Sequence, residues 1–266
     1  MLEGIILGLL QGIAEWLPIS SEGVITLAEV YLSDGRTSLT QSIHLALFLH
    51  LGTFLSALIY FRRRVGELLA PLIRIEFYQS LELRNIFRFL VVSTVISGGL
   101  GFAILKGIER VESELALTGK LIMFLVGLLL LVTAFLQRFA SREGLRGFEE
   151  ITWKDALVLG LAQAMAVFPG LSRSGLTVSA LLLLRVREDV SLELSFLMSL
   201  PIVFLGNVIL NAHFFTFSYI TVLGLFTSFL AGLITIHYLL KLARAVDFSY
   251  FVLFFAFLTF IAVIFI

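Results

Sequence analysis

Residues Gly160 to Thr177 read GLAQAMAVFPGLSRSGLT and set Arg173 and three hydroxyls, Ser172, Ser174 and Thr177, beside a Pro169-Gly170 break. The surrounding sequence is apolar enough to sit in lipid, where an unpaired charge is costly, so the cluster demands a partner or a ligand. Laid over Gly8 to Gly23, GLLQGIAEWLPISSEG, the stretch matches without a gap at a constant offset of 152 residues. Gly8/Gly160, Leu9/Leu161, Gln11/Gln163, Ala14/Ala166, Trp16/Phe168, Ser20/Ser172 and Gly23/Gly175 are identical or alike. The chain therefore reads as two copies of one unit, about 1–140 and 150–266, in a single integral membrane domain.

Composition agrees. Of 266 residues, 59% are hydrophobic and 14% charged, and the mean hydropathy is +1.04, values outside the soluble range. A formal net charge of +0 and the lack of a basic arm argue against a nucleic-acid partner. With no cysteine there is no disulfide, iron–sulfur cluster or thiol nucleophile, and no CxxC, HExxH or Walker loop occurs. The opening Met1-Leu2-Glu3 lacks a basic n-region, which predicts no cleaved signal peptide.

A bilayer core of about 30 Å requires roughly 20 apolar residues as a helix. Six stretches meet that length: Ser42–Phe61, Phe87–Leu105, Thr118–Phe139, Glu193–Ala212, Tyr219–Leu240 and Phe248–Ile266. Leu2–Leu17 with Val24–Leu32, and Trp153–Phe168 with Leu176–Leu184, are too short singly. Pro18 and Pro169 forbid continuous helices there, so each pair is predicted to enter and leave by one face as a re-entrant hairpin. The expected fold is an all-α polytopic membrane protein with an inverted-topology repeat, each unit one re-entrant helical hairpin plus three transmembrane helices.

Basic residues set the orientation. One set of connections carries Arg62, Arg63, Arg64, Arg74, Arg84, Arg138, Arg142, Arg146, Lys154, Arg185, Arg187, Lys241 and Arg244, and the other only Arg36, Lys106, Arg110 and Lys120. The first set is expected in the cytoplasm, with both termini outside the cell membrane and the two hairpin tips meeting near its midplane. Val65–Leu83 suits a helix lying on the cytoplasmic surface, and Ser141–Ile151 a linker between the repeats.

At the second tip, a helix predicted to start near Leu176 offers unpaired N–H groups and a positive dipole end beside Arg173, a ready site for phosphate. The plain alternative is that Arg173 pairs with Glu15 and the serines cap helices. On the first tip, Gln11 and Glu15 stand four apart on one helix face, ahead of Pro18-Ile19-Ser20-Ser21-Glu22-Gly23. Glu15 can hold a divalent cation, act as a base or balance Arg173, and Glu22 is either a second carboxylate for such roles or a first-turn helix acid. Six residues separate His44 from His50, too far around a helix for a metal pair, and His50 suits a supporting role; His213 and His237 read as structural or interfacial.

PGLSRSGLT closely resembles the PGxSRSxxT signature of the undecaprenyl pyrophosphate phosphatase family, the bacitracin-resistance membrane proteins. QGIAEWLPISSEG resembles that family's (E/Q)xxxE and PxSSxGH elements, and FLHLGT followed by FRRR extends the likeness over nearly the whole chain. The resemblance implies removal of the terminal phosphate from a polyprenyl diphosphate carrier outside the cytoplasm, with a divalent cation such as Mg2+ or Ca2+. It makes Ser21 the group acting at phosphorus, Glu15 the second acid of its motif with Gln11 in the variable first place, and Arg173 the phosphate clamp. Ser20, Ser172, Ser174, Gly170 and Thr177 fall around the substrate, and Glu15 and Glu22 are the metal candidates.

One position departs from that pattern: Val24 stands where the family has its proposed catalytic histidine. Valine can neither attack phosphorus nor carry a proton, so proton transfer would fall to Glu15 or Glu22. A rival reading is a non-hydrolytic transporter that flips a phosphorylated isoprenoid lipid, since inverted repeats meeting at the midplane are transporter architecture. Whether the chain acts alone or as a homodimer is open at this level.

Overall fold

The computed structural model describes residues 2–32, 38–74, 78, 80–115, 118–140, 144–211 and 218–265. Arg36, Glu76, Arg142 and His213 lie outside the described residues. Every regular element described is helical, as a chain in lipid requires when its backbone must be satisfied within each segment. The helices are α1 (Leu2–Ala14), α2 (Ser21–Leu32), α3 (Leu39–Tyr60), α4 (Arg62–Arg74), α5 (Leu81–Leu115), α6 (Gly119–Phe139), α7 (Trp153–Met165), α8 (Arg173–Leu183), α9 (Glu188–Gly206), α10 (Tyr219–Ala245) and α11 (Ser249–Phe265). A 3-10 turn, Phe148–Glu150, precedes α7, and a π turn, Asn207–Asn211, prolongs α9.

Among the described residues five helices, α3, α5, α6, α9 with its π turn, and α10, are long and apolar enough to cross a membrane. The sixth expected crossing, α11, has 17 residues. At 1.5 Å per residue it reaches about 26 Å, at the lower limit of a spanning length. It runs antiparallel to α6, with Arg138 3.8 Å from Asp247 at one end and Phe260 against Gly127 further along. Helix α5 exceeds expectation in the other direction, extending beyond Leu105, and the Glu112 carboxylate on that extension accepts the Leu39 and Thr40 amides at the start of α3.

Both interrupted helices are present. The breaks between α1 and α2 and between α7 and α8 contain Pro18 and Pro169, as expected. Helix α8 begins at Arg173 rather than near Leu176, because Ser172 is the better N-cap: its Oγ accepts from the Gly175 amide at 3.1 Å.

Small residues set the packing of the short helices. Gly4, Gly8 and Gly12 form one face of α1, and α10 lies parallel against it: an added Cβ would sit 2.3 Å from the Ile220 carbonyl oxygen at Gly4, 2.3 Å from that of Gly224 at Gly8 and 2.8 Å from that of Ser228 at Gly12. Such close approach is how helices associate where lipid removes the hydrophobic drive. Helix α7 lies parallel to α5 in the same way, with Gly160 beside Ser93 and Ile96 and the Gln163 side chain donating to Ser97 Oγ at 3.0 Å.

Several arginines that count towards orientation are also staples. Arg64 pairs with Glu193 (2.8 Å) on α9, with Glu82 on α5 and with Glu67 (3.4 Å), and lies 4.9 Å over the Phe148 ring. Arg146 grips the buried Asp155 carboxylate through two bonds of 3.0 and 2.6 Å and donates to the Leu184 and Glu150 carbonyls at 2.9 and 2.7 Å, locking both ends of the second hairpin to the linker.

Gly8→Ala should therefore lower the thermal unfolding midpoint in detergent, with a loss on the order of 1–3 kcal/mol, because its Cβ meets the Gly224 backbone carbonyl as well as the Thr227 hydroxyl, and the backbone cannot turn aside. Gly66→Ala on α4, where nothing lies within 4 Å, is the control and should leave the midpoint level or slightly raised. Arg146→Ala strands the buried Asp155 carboxylate and should cost about 3–5 kcal/mol, read in the same unfolding scan.

Candidate functional site

The two tips touch. Ser20, with φ at 65°, adopts the left-handed conformation that disfavours non-glycine residues, and two bonds hold it there: its Oγ accepts from the Gly23 and the Gly170 amides, each at 3.1 Å. Gly170 itself has φ 104°, and a Cβ there would meet the Val126 carbonyl at 2.6 Å, so only glycine fits. Helix α6 clasps both tips. Thr133 Oγ1 donates to the Gly170 carbonyl (2.9 Å) and accepts from the Ser172 amide (3.1 Å), while Gln137 donates to the Pro18 carbonyl.

Between the tips lies Glu15, only 6% exposed. Its Oε1 pairs with Arg173 Nη2. Its Oε2 takes Ser21 Oγ at 2.7 Å, Gln11 Nε2 at 3.0 Å and His50 Nε2 at 3.0 Å. Arg173 also reaches the Ser195 carbonyl through Nη1 at 3.4 Å and lies 5.8 Å over the Phe196 ring. The arginine–carboxylate pairing that the sequence offers as the plain alternative is thus present, and the N-cap role of Ser172 with it. Neither removes the anion-binding features. The first amides of α2 and α8, on Ser21, Glu22, Arg173 and Ser174, have no acceptor within their own helices, and both positive dipole ends converge on one small polar cleft.

That cleft is lined by Glu15, Ser20, Ser21, Glu22, Ser172, Arg173 and Ser174 together with His50. Most residues singled out from the sequence are therefore brought together. Thr177 is the exception: fully buried one turn inside α8, its Oγ1 bonds the Arg173 carbonyl (2.8 Å) and Ser195 Oγ (2.7 Å), so it braces α8 against α9 instead of facing the cleft. Gln11 acts through Glu15, and Gly170 through backbone alone.

His50 sits in the site directly, beyond the supporting role expected for it. Its Nε2 is 3.4 Å from Ser21 Oγ as well as 3.0 Å from Glu15, and its Nδ1 is 2.6 Å from the Ala46 carbonyl. Nothing in the spacing of His50 ties it to the tips, since it comes from α3, and packing alone brings it there. Of the other histidines, His44 meets Asn211 Oδ1 at 2.6 Å near the start of α3, and His237 is exposed beside Tyr60.

For a metal, the donor set is limited. Among the described residues no group of three or more histidine or acidic side chains could enclose an ion. Both Glu15 oxygens are already matched by donors, whereas Glu22 Oε2 is shielded and has no partner. These residues fit a cation held by Glu22 and shared with substrate oxygens, the usual habit of Mg2+, and not a cage made by protein alone.

Beside the cleft opens a cavity of about 470 Å³. Arg173, His50 and Glu22 form its polar end, and Leu47, Leu105 and Ile202 are among its apolar walls on α3, α5 and α9. Phe102, Leu205 and Ile209 line it and are also exposed, so it opens between α5 and α9 towards the apolar surface of the protein.

Comparison with known proteins matches the sequence to a family. An undecaprenyl-diphosphatase of Methanococcoides burtonii is 41% identical over 260 residues, covering 94% of this chain and 93% of that protein. Proteins of the same name from Haloarcula marismortui and Methanothrix thermoacetophila are 37% and 34% identical, covering 93% and 94% of this chain and 92% of each relative. The family model described as bacitracin resistance protein BacA matches residues 4–261, nearly the whole chain, and this chain belongs to that family.

Proposed function

We propose that the chain is a phosphatase that removes the terminal phosphate from a long-chain isoprenoid diphosphate of the undecaprenyl type. One observation carries the reading: a cavity with apolar walls ends on Arg173, His50 and Glu22, beside the hydroxyl of Ser21, so it suits a lipid tail whose anionic head reaches the tips. Arg173 binds the phosphates together with the free amides at the starts of α2 and α8. Ser20, Ser172 and Ser174 hold the turn geometry and supply donors. Ser21 Oγ attacks the terminal phosphorus and releases the isoprenyl monophosphate, and water then frees inorganic phosphate from the serine. The cleft has room for roughly one water molecule, so substrate entry requires Arg173 to exchange Glu15 for phosphate oxygens. A divalent cation bound by Glu22 and the diphosphate would neutralise charge on the phosphates.

The repeat is read as inverted. Support comes from the reciprocal packing of α1 along α10 and α7 along α5, each parallel, and from the meeting of the two breaks. Arg62 to Arg64 cluster at one end of the helices, which supports a cytoplasmic position for that end and an outer position for the opposite end, where α5 carries Lys106 and Arg110, in the plasma membrane with both termini outside. A second reading, transport of the intact phosphorylated lipid, draws support from a small cavity on the other side of the tips, lined by Pro18, Gln137, Ser174, Glu188 and Asp247. Reconstituted vesicles separate the two: phosphate release without movement of lipid supports hydrolysis, and movement of intact lipid without phosphate release supports transport.

With purified protein and a polyprenyl diphosphate, Arg173→Ala and Glu15→Ala should each reduce phosphate release by about 10²–10³-fold, the scale for loss of a preorganised charge contact. Release at the wild-type rate in either variant would overturn the assignment. A chelator should suppress activity, and Glu22→Gln should raise the Mg2+ concentration needed for half-maximal rate, measured by metal titration.

A further inference from the structure

Helix α2 carries a second set of polar oxygens, away from the cleft. Thr26 and Glu29 stand three apart on one face of the helix, and both are buried, Glu29 with 9% of its surface exposed. The Ser42 side chain of α3 faces the Glu29 carboxyl and is buried as well. Among the described residues, Thr26 Oγ1, Glu29 Oε2 and Ser42 Oγ are shielded from solvent and complete no hydrogen bond. We infer that these three oxygens form a binding site for a monovalent cation such as Na+, which ties the C-terminal part of α2 to the start of α3. The inference stands apart from the phosphatase reading, since it uses none of the residues that line the cleft.

Charge and burial both call for a cation here. Glu29 lies in the last turn of α2, near the negative end of the helix dipole, where acids are disfavoured, and that turn holds no basic residue. Glu3, exposed at the start of α1, adds further negative charge nearby. The seam between the helices is otherwise apolar, with Ile25 of α2 in one cluster with Ala46 and Leu49 of α3, so a lone carboxylate there is strongly disfavoured. Protonating Glu29 would remove the charge but leave the Thr26 and Ser42 hydroxyl oxygens without a ligand. A small cation answers the charge and all three oxygens at once, and an acid placed inside a membrane protein is the usual mark of an ion site. Single charge fits because Glu29 is the one buried carboxylate of the three groups, and a divalent ion would leave net positive charge among apolar side chains.

The site bears on the cleft through its two helices. Ser21 opens α2, and His50 follows Ser42 by about two turns of α3. An ion that holds α2 against α3 therefore fixes the pair of helices that set Ser21 Oγ 3.4 Å from His50 Nε2.

The test uses the full chain purified in detergent without Na+, its thermal unfolding midpoint followed as NaCl replaces choline chloride at constant ionic strength, so that screening is unchanged. The midpoint of the wild type should rise and saturate, by about 5–10 °C at a hundredfold excess over the dissociation constant. Glu29→Gln keeps the shape of the side chain and should abolish the rise, and radiolabelled Na+ should bind the wild type but not this variant. Thr26→Val and Ser42→Ala should each move half-saturation to at least about tenfold higher Na+, and they decide the matter if Glu29→Gln does not fold. Glu114→Gln, at an exposed acid on α5, is the control and should respond as the wild type does. Equal midpoints in NaCl and choline chloride, a full response in Glu29→Gln, or a response to Mg2+ and not to Na+ would each overturn the inference. Phosphate release enters none of these readouts, so the phosphatase reading stands or falls separately.

Discussion

A carboxylate held among apolar helices has to be matched on every lone pair, and the Glu15 carboxylate is matched by groups from four places in the chain: Gln11 on α1, Ser21 on α2, His50 on α3 and Arg173 on α8. Desolvating such an ion costs several kcal/mol, and removing one partner leaves the others uncompensated. The contact between the two interrupted helix pairs is therefore an obligation of charge as well as of shape. It brings into one cleft a serine hydroxyl, an imidazole and a guanidinium.

Interrupting the helices creates a second obligation, since each break frees backbone amides that lipid cannot satisfy. The protein meets it with short polar side chains in place of water. Ser20 bonds across to Gly170, Ser172 caps α8, and Thr133 and Gln137 of α6 hold the two turns. The amides left over are those nearest the cleft, where a phosphate would complete them. Glycine at 170 and the small residues along α1 let the elements come close enough for these bonds to form.

Much of this was legible in the sequence because intramembrane charge and proline are rare and each has few physical outcomes. Arg173, Glu15, Ser21 and both helix breaks were found that way, and the resemblance in PGLSRSGLT agreed with the family match. Other features were hidden for definable reasons. Thr177 sits in the motif, but the rotation of α8 turns it towards Ser195. Arg64 and Arg146 look like topogenic surface charge until their carboxylate partners, distant in sequence, are placed beside them.

By itself the sequence determined the membrane class, the positions of the two breaks and the chemistry concentrated at them, since these depend on residue type and local spacing. Tertiary structure alone decided that the tips share one site, that a cavity walled by α3, α5 and α9 ends there, and that His50 stands beside Ser21. The physical reason is that an imidazole on one helix reaches a serine on another only through the packing of both, and no spacing along the chain encodes that distance.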